Sequence, residues 1–286
     1  MAGVSIQSVC KALQVSRSSY YAWVKRPLSR RAKKNEELTN KLKLLHRESR
    51  GTYGAPRLTA RLKHQGLRHS RKRVAHLMKN IGIFGCARRK FRPCTTRPDP
   101  SQPVSPRLFE SQNKETLPQG PNSVWVGDMT YISTGEGWLY LTTVMDVFNR
   151  KVVGHHMSDN MRAETVWEAL KNGISNQPEA LKKGGPPLLS HSDRGGQYAS
   201  EMYRQKLKLF GVTQSMSRSG NCYDNAYAES FFHTLKVELV HRTSFETRAD
   251  AQEAIEDYID WYNTKRIHSA LGYQTPSEYE GEVLAK

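Results

Sequence analysis

Three short stretches of this chain place acidic residues where a carboxylate is unexpected. "VGDMTYI" sets Asp128 inside a run of β-branched and aromatic residues. "HSDRGGQYAS" sets Asp193 where the apolar "PPLLS" has just ended. "NCYDNAYAESFF" sets Glu229 at the opening of an apolar helical pattern. Three carboxylates brought to one point repel one another unless cations neutralise them. Hard oxygen ligands around an open position suit Mg²⁺, with Mn²⁺ as the expected substitute. Two such ions, about 3.5–4 Å apart, can activate a water or a 3′-hydroxyl and stabilise the leaving oxygen of a phosphodiester.

That chemistry requires elements that bring the three together. Residues 124–133 alternate as a strand, and 138–148 and 151–158 follow after short turns, so an antiparallel meander is expected. A helix carrying Val166, Leu170 and Ile174 on one face comes next. After it come a short strand at "PPLLSHSD", a helix ending at Gly211, a strand at "VTQSMS" and two further helices. The order β-β-β-α-β-α-β-α-α is that of an α/β, ribonuclease H-like core, a mixed five-stranded sheet flanked by helices. Asp128 then falls in the first strand. Asp193 falls at the C-terminal end of the fourth strand, where ligands gather in α/β sheets. Glu229 falls on the first turn of a helix, and His233 and Lys236 share its helical face. Both are expected to face DNA, Lys236 beside the phosphate at the scissile bond.

Other residues in these stretches read as structural. Asp146 is expected to order the Asn149–Arg150 turn, and Asp224 to cap the Glu229 helix. His191 reads as a satisfied structural histidine. The glycines after Asp193 let the backbone turn sharply and approach a ligand.

Charge divides the chain. It carries +17 overall, yet residues 1–100 hold 25 Lys+Arg against 4 Asp+Glu, while the remainder is slightly acidic. The basic residues interleave with apolar ones at helical spacing, which fits a folded all-α region that binds nucleic acid rather than a solvated tail. Two helix-turn-helix candidates lie there. In "VSIQSVCKALQVSRSSYYAWVKR", Val4, Val9 and Leu13 line one helix, Val15 fills the turn, and Ser16 caps a helix presenting Arg17 and Tyr20. In "GAPRLTARLKHQGLRHSRKRVAHLMKN", Leu58 and Leu62 sit four apart, Gly66 breaks the helix, and Ser70 caps a helix presenting Arg71, Lys72 and Arg73. Between them, Leu38, Leu42 and Leu45 stripe one amphipathic helix. The proline-rich segment 91–121 reads as an extended tether. The expected division is therefore 1–90 for DNA binding, 91–121 as linker and 122–286 as catalytic core with a C-terminal helical extension.

Several classes are excluded. No apolar run approaches the ~20 residues of a membrane span. The start lacks the pattern of a secretion signal, and four scattered cysteines without a CxxC pair fit a reduced, cytoplasmic setting. His64, His69, Cys86 and Cys94 make a two-His, two-Cys inventory, but the cysteines are spaced too widely for a usual zinc pair.

Several motifs in register carry a specific resemblance: "VGDMTYI", "HSDRGGQYAS", "SRSGNCYDNAYAESFFHTLKVEL" and "WYNTKRIHSALGYQTPSEY", with thirty-five residues between Asp193 and Glu229. The chain resembles an insertion-sequence transposase of the OrfB type, in the DDE transposase and retroviral integrase superfamily, over nearly its whole length. The resemblance implies that Asp128, Asp193 and Glu229 are the catalytic, metal-holding triad. It further implies Mg²⁺-dependent cleavage of insertion-sequence ends and strand transfer into target DNA, with no covalent enzyme–DNA intermediate. The implied partners are terminal-repeat and target DNA, a second copy of the chain assembled on DNA, and an upstream-frame product or fusion; the implied location is the cytoplasm, on the nucleoid when DNA is bound. A nuclease of the same fold without strand transfer, and a DNA-binding regulator, are the competing readings.

Overall fold

The computed structural model describes residues 5–27, 29–86, 104–111, 113–177, 187–217 and 225–285. They belong to two compact units, one ending at Gly85 and the other beginning at Cys86. Among the described residues no helix is long and apolar enough to cross a membrane.

The first unit is helical: α1 (Ile6–Ala12), α2 (Arg17–Val24), α3 (Arg30–Glu48), α4 (Ala55–His64) and α5 (Arg71–Asn80). Ser5, Ser16, Ser29 and Ser70 begin four of these helices, each side chain accepting from the backbone N–H three residues on. Such caps satisfy donors that the first helical turn leaves without partners. Leu38, Leu42 and Leu45 of α3 are buried, as are Leu58 and Leu62 of α4 and Val74, Leu77 and Met78 of α5. Gly66 takes φ +78° between α4 and α5, a conformation that costs glycine little.

The α1–α2 hairpin departs from expectation. Cys10 is its buried residue, whereas Val9, Leu13 and Val15 are 41%, 68% and 48% exposed, and Val4 lies outside the described residues. Two helices of seven and eight residues offer each other too little surface to bury a full stripe without a third layer.

The second unit is built on a sheet of β1 (Val124–Thr134), β2 (Gly137–Asp146), β3 (Val152–Ser158), β4 (Leu189–Ser192) and β5 (Thr213–Met216), in the order β3-β2-β1-β4-β5. The β1–β2–β3 meander is antiparallel; β4 and β5 run parallel to β1. Asp146 holds the corner after β2, its carboxylate accepting from the Phe148 N–H at 2.9 Å and the Asn122 N–H at 2.6 Å.

Helices α6 (Ala163–Ser175), α7 (Gly196–Ala199) and α8 (Glu201–Leu209) form one layer with the sheet around Trp125, Val144, Val153, Trp167, Leu170, Tyr203 and Leu207. Gly154 lets α6 lie directly on β3, because a Cβ there would stand 2.2 Å from the Ala169 carbonyl oxygen. Helices α9 (Ala226–Glu238) and α10 (Arg248–Thr264) pack on β1 and β2 as a second group, and α11 (Pro276–Leu284) rests on α10.

Part of the segment expected to be a tether is instead built into this unit. Phe109 is completely buried, with its ring 5.2 Å from His191 and 6.4 Å from Tyr227. The Leu108 N–H donates to Ser215 Oγ at 2.9 Å, Ser105 Oγ donates to Gln214 at 2.7 Å, and the Met216 N–H donates to the Pro106 carbonyl at 3.4 Å. The physical reason is that β5 is an edge strand whose backbone groups need partners. Proline density marks extended chain, and extended chain is also what an edge accepts. Residues 91–103 and 112 of that segment lie outside the described residues.

Candidate active site and nucleic-acid interface

The sheet register decides where the first two carboxylates stand. Gly127 of β1 pairs with Ser192 of β4, the last pair of that parallel ladder. Asp128 and Asp193 are the next residue on each strand, so they emerge side by side where the strands part. Asp128 Oδ1 accepts from the Met129 N–H at 2.8 Å, and Asp193 Oδ1 accepts from the Gly195 N–H at 3.0 Å. A Cβ at Gly195 would crowd Asp193 Oδ1 at 3.1 Å, which is the close approach that calls for glycine.

The third carboxylate arrives on α9. Ala228, Phe231, Phe232, Leu235 and Glu238 are its buried residues, a helical spacing that seats one face on the sheet and brings Glu229, in the first turn, to the rim. Asp224 lies outside the described residues; Asn225 takes the N-cap position without a side-chain cap bond.

The electrostatics bind these groups together. Burial, then the charge of Asp193 and that of Glu229, push the Asp128 carboxyl well above the usual range, while the Met129 amide and Lys236 pull it back. Burial and the Asp193 charge likewise raise Glu229. Burial lowers the Lys236 ammonium, opposed by the nearby Asp128 charge. Lys236 Nζ also lies over the Tyr131 ring, 5.2 Å from its centre. His233 is half-buried on the same helix.

One residue of the site carries no label in the sequence reading. Tyr198 of α7 is buried beside Asp128 and Asp193, whose charges add to burial in raising its phenol. Among the described residues its hydroxyl has no hydrogen-bond partner, a costly arrangement for a buried donor. The signal was present in "RGGQY", but nothing local shows that this ring turns towards the carboxylates.

Among the described residues no three His, Cys, Asp or Glu side chains close around one point tightly enough to hold a single ion. The carboxylates act on one another in pairs: Asp128 with Asp193, Asp128 with Glu229, and Glu229 with Asp193. An all-oxygen donor set, mutually repelling carboxylates and an orphaned phenol hydroxyl beside them fit hydrated, hard divalent cations. His191 stands apart from this set, fully buried with Nδ1 2.8 Å from Ser215 Oγ.

In the helical unit, Arg17, Arg71 and Lys72 are exposed and Tyr20 is half-buried. Arg73 donates to Asn35 of α3 at 2.7 Å. It lines a cleft with Arg30, Arg31 and Lys34. These α3 cations escaped the sequence reading, which assigned α3 only an apolar stripe. Cys94 of the zinc inventory lies outside the described residues.

An integrase-type core with clustered carboxylates, joined to a helix-turn-helix-like region, defines the class. The models named Integrase core domain match residues 118–222 and 210–276, and HTH-like domain matches 33–91. The insertion element IS600 uncharacterized 31 kDa protein of Shigella sonnei is 40% identical over 274 residues, covering 95% of this chain and 97% of that one. Transposase InsF for insertion sequence IS3A of Escherichia coli (strain K12) is 38% identical over 284 residues, covering 98% and 96%. A simian T-cell lymphotropic virus intasome, solved with PP2A regulatory subunit B56 gamma, aligns over 84% of this chain and 74% of that one, at 15% identity and TM-score 0.49. The chain belongs to the IS3-family insertion-sequence transposases. It is an enzyme of the DDE polynucleotidyl transferase type.

Proposed function

We propose that the chain cleaves DNA at the ends of an insertion sequence and transfers the exposed 3′-hydroxyl into target DNA, using Asp128, Asp193 and Glu229. The observation that supports this reading is that three carboxylates, from β1, the end of β4 and the first turn of α9, stand near enough for like charge to add to burial in raising Asp128 and Glu229.

Asp128, Asp193 and Glu229 would hold Mg²⁺, two ions in all, with Mn²⁺ as substitute. When bound, the metal lowers the proton affinity of an attacking hydroxyl and neutralises charge on the leaving oxygen. Lys236 sets its ammonium against a non-bridging phosphate oxygen and fixes the phosphodiester for in-line attack. The Tyr198 hydroxyl, buried beside the carboxylate pair with no hydrogen bond of its own among the described residues, would donate to a water entering that site. A new P–O bond forms from water in cleavage, or from the 3′-hydroxyl in joining. The opposite P–O3′ bond breaks, and its oxygen takes up a proton. The helical unit delivers the DNA: Arg17, Tyr20, Arg71, Lys72 and Arg73 contact the duplex, with Arg30, Arg31 and Lys34 extending that surface. A second copy of the chain on DNA, and an upstream-frame product or fusion, complete the active assembly.

The test is a cleavage and joining assay with Asp128→Asn, Asp193→Asn and Glu229→Gln. Each is expected to abolish both reactions while end binding persists. Substantial Mg²⁺-supported activity in any one of them removes that residue from the triad. Joining of a 3′-hydroxyl donor, lost with a 3′-deoxy donor, separates a transposase from a nuclease.

A further inference from the structure

The hairpin that carries Asp128 also displays two large aromatic side chains to solvent. Tyr131 on β1 is 42% exposed and Trp138 on β2 is 49% exposed. In the antiparallel register Tyr131 pairs with Tyr140 and Ser133 with Trp138. Tyr131 and Trp138 are therefore diagonal neighbours on one face, within reach across the strands. Their rings meet edge to face, centres 4.9 Å apart at 81°, so each holds the other in a fixed orientation.

Cations flank the pair. Lys236 Nζ lies over the Tyr131 ring at 5.2 Å and is also the cation that acts on Asp128. Arg248, at the start of α10, donates from Nε to the Trp138 carbonyl at 3.1 Å, and its guanidinium stands beside Gly137. Glu136 is the acidic neighbour, and its carboxylate accepts from the Arg248 backbone N–H at 2.8 Å. The surface is thus an aromatic pair between two cations, contiguous through Lys236 with the catalytic carboxylates.

A protein chain or lipid docking on exposed aromatics has no need of a lysine shared with a catalytic aspartate. A nucleotide does: the phosphate takes the cation, and the base takes the ring. The interior of a stacked duplex has no free base face to offer, whereas an unpaired base does. We propose that Tyr131 and Trp138 form a stacking platform for an unpaired base of the DNA strand whose phosphate is held by Lys236, beside Asp128. The platform binds any base, because every base has a π-face, and it favours DNA that is frayed or flipped next to the scissile bond. The inference rests on the reading of this site as one that acts on DNA.

The experiment uses the full chain in EDTA, so that no cleavage occurs. Two probes are titrated: a blunt duplex, and the same duplex with short single-stranded tails carrying 2-aminopurine. Wild type is expected to prefer the tailed probe and to quench 2-aminopurine by stacking. Trp138→Ala and Tyr131→Ala should each weaken tailed-probe binding about tenfold relative to the blunt probe, as the loss of one base stack implies. Trp138→Phe should retain most of the preference. Phosphate contacts made elsewhere act on both probes and cancel in the ratio.

Parallel losses on the two probes, or quenching that survives in the double alanine variant, overturn the platform. So does a change in oligomeric state in Trp138→Ala with the tail preference intact, which would make the face a protein contact. Mg²⁺-dependent cleavage, measured separately on wild type and the triad variants, keeps the two readings apart. Normal cleavage without tail preference sinks the platform alone, whereas tail preference without triad-dependent cleavage sinks the catalytic assignment alone.

Discussion

At the scale of single residues, the site contains a cation and a phenol whose roles can be separated from packing. Lys236 is half-buried between Asp128 and Tyr131, where the proposed reaction puts a substrate phosphate beside its charge. Lys236→Ala is expected to slow end joining tenfold or more, equivalent to about 1.4 kcal/mol of transition-state positioning. Lys208→Ala, on the exposed side of α8, is the control; equal joining rates in both variants and wild type would remove Lys236 from the reaction. Tyr198→Phe tests the orphaned hydroxyl. Deleting a buried donor without a partner should leave stability unchanged or raise it by about 1 kcal/mol, while cleavage falls. A thermal melt and a single-turnover rate together decide this, since a packing role alone would leave the rate untouched.

At the scale of elements, two anchors hold the supports of the proposed triad in place. The C-terminal end of α9 is tied to the strand-like segment after α10 by a buried ion pair. Arg266 donates to Glu238 at 2.7 and 2.8 Å, and the Tyr258 hydroxyl donates to the same carboxylate at 2.9 Å. Breaking one partner of a buried pair strands the other, so Arg266→Met should cost about 3–5 kcal/mol in urea unfolding. The corner after β2 is the second anchor. Burial pushes the Asp146 carboxyl up to about 7, against the two amide donors that favour its charge. Between the unfolded value near 3.8 and that folded value, the native state binds the extra proton. Stability therefore falls as pH rises through this window and levels off above it. The contribution is on the order of 4 kcal/mol at most. Asp146→Asn should flatten that fall relative to wild type; identical pH profiles for the two proteins would place the titration elsewhere.

At the scale of the whole molecule, charge and folding divide at different places. Residues 1–85 hold 20 Lys+Arg against 3 Asp+Glu, so this fragment should bind DNA with log affinity falling steeply and linearly in log salt. A fragment beginning at residue 104 should fold and bind DNA weakly by comparison. One beginning at residue 122 lacks Phe109 and its edge contacts, and by analogy with a buried Phe→Ala change it should be less stable by about 3–5 kcal/mol. Equal stability of the two catalytic fragments would mean that the 104–111 segment contributes nothing to the core. Equal salt slopes for the helical and catalytic fragments would defeat the division of DNA binding between them.

Much of this was legible in the sequence because it is local. Serine caps, the Leu38–Leu42–Leu45 stripe, strand alternation around Asp128 and the glycine turn after Asp193 each follow from the chemistry of residues a few positions apart. The motif spacing that singles out Asp128, Asp193 and Glu229 is likewise written along the chain. Tertiary structure decided what depends on partners distant in sequence. The pairing of Gly127 with Ser192 puts two carboxylates side by side, and the seating of α9 adds the third. Tyr198 faces them because its ring lies against Gly127 of β1. Phe109 enters the core because the β5 edge needs a partner, and Val9 and Leu13 stay exposed because no third helix among the described residues covers them. Tyr131 and Trp138 meet only through the β1–β2 register. In each case the deciding energy is desolvation and hydrogen bonding between segments far apart in the chain, which no local pattern encodes.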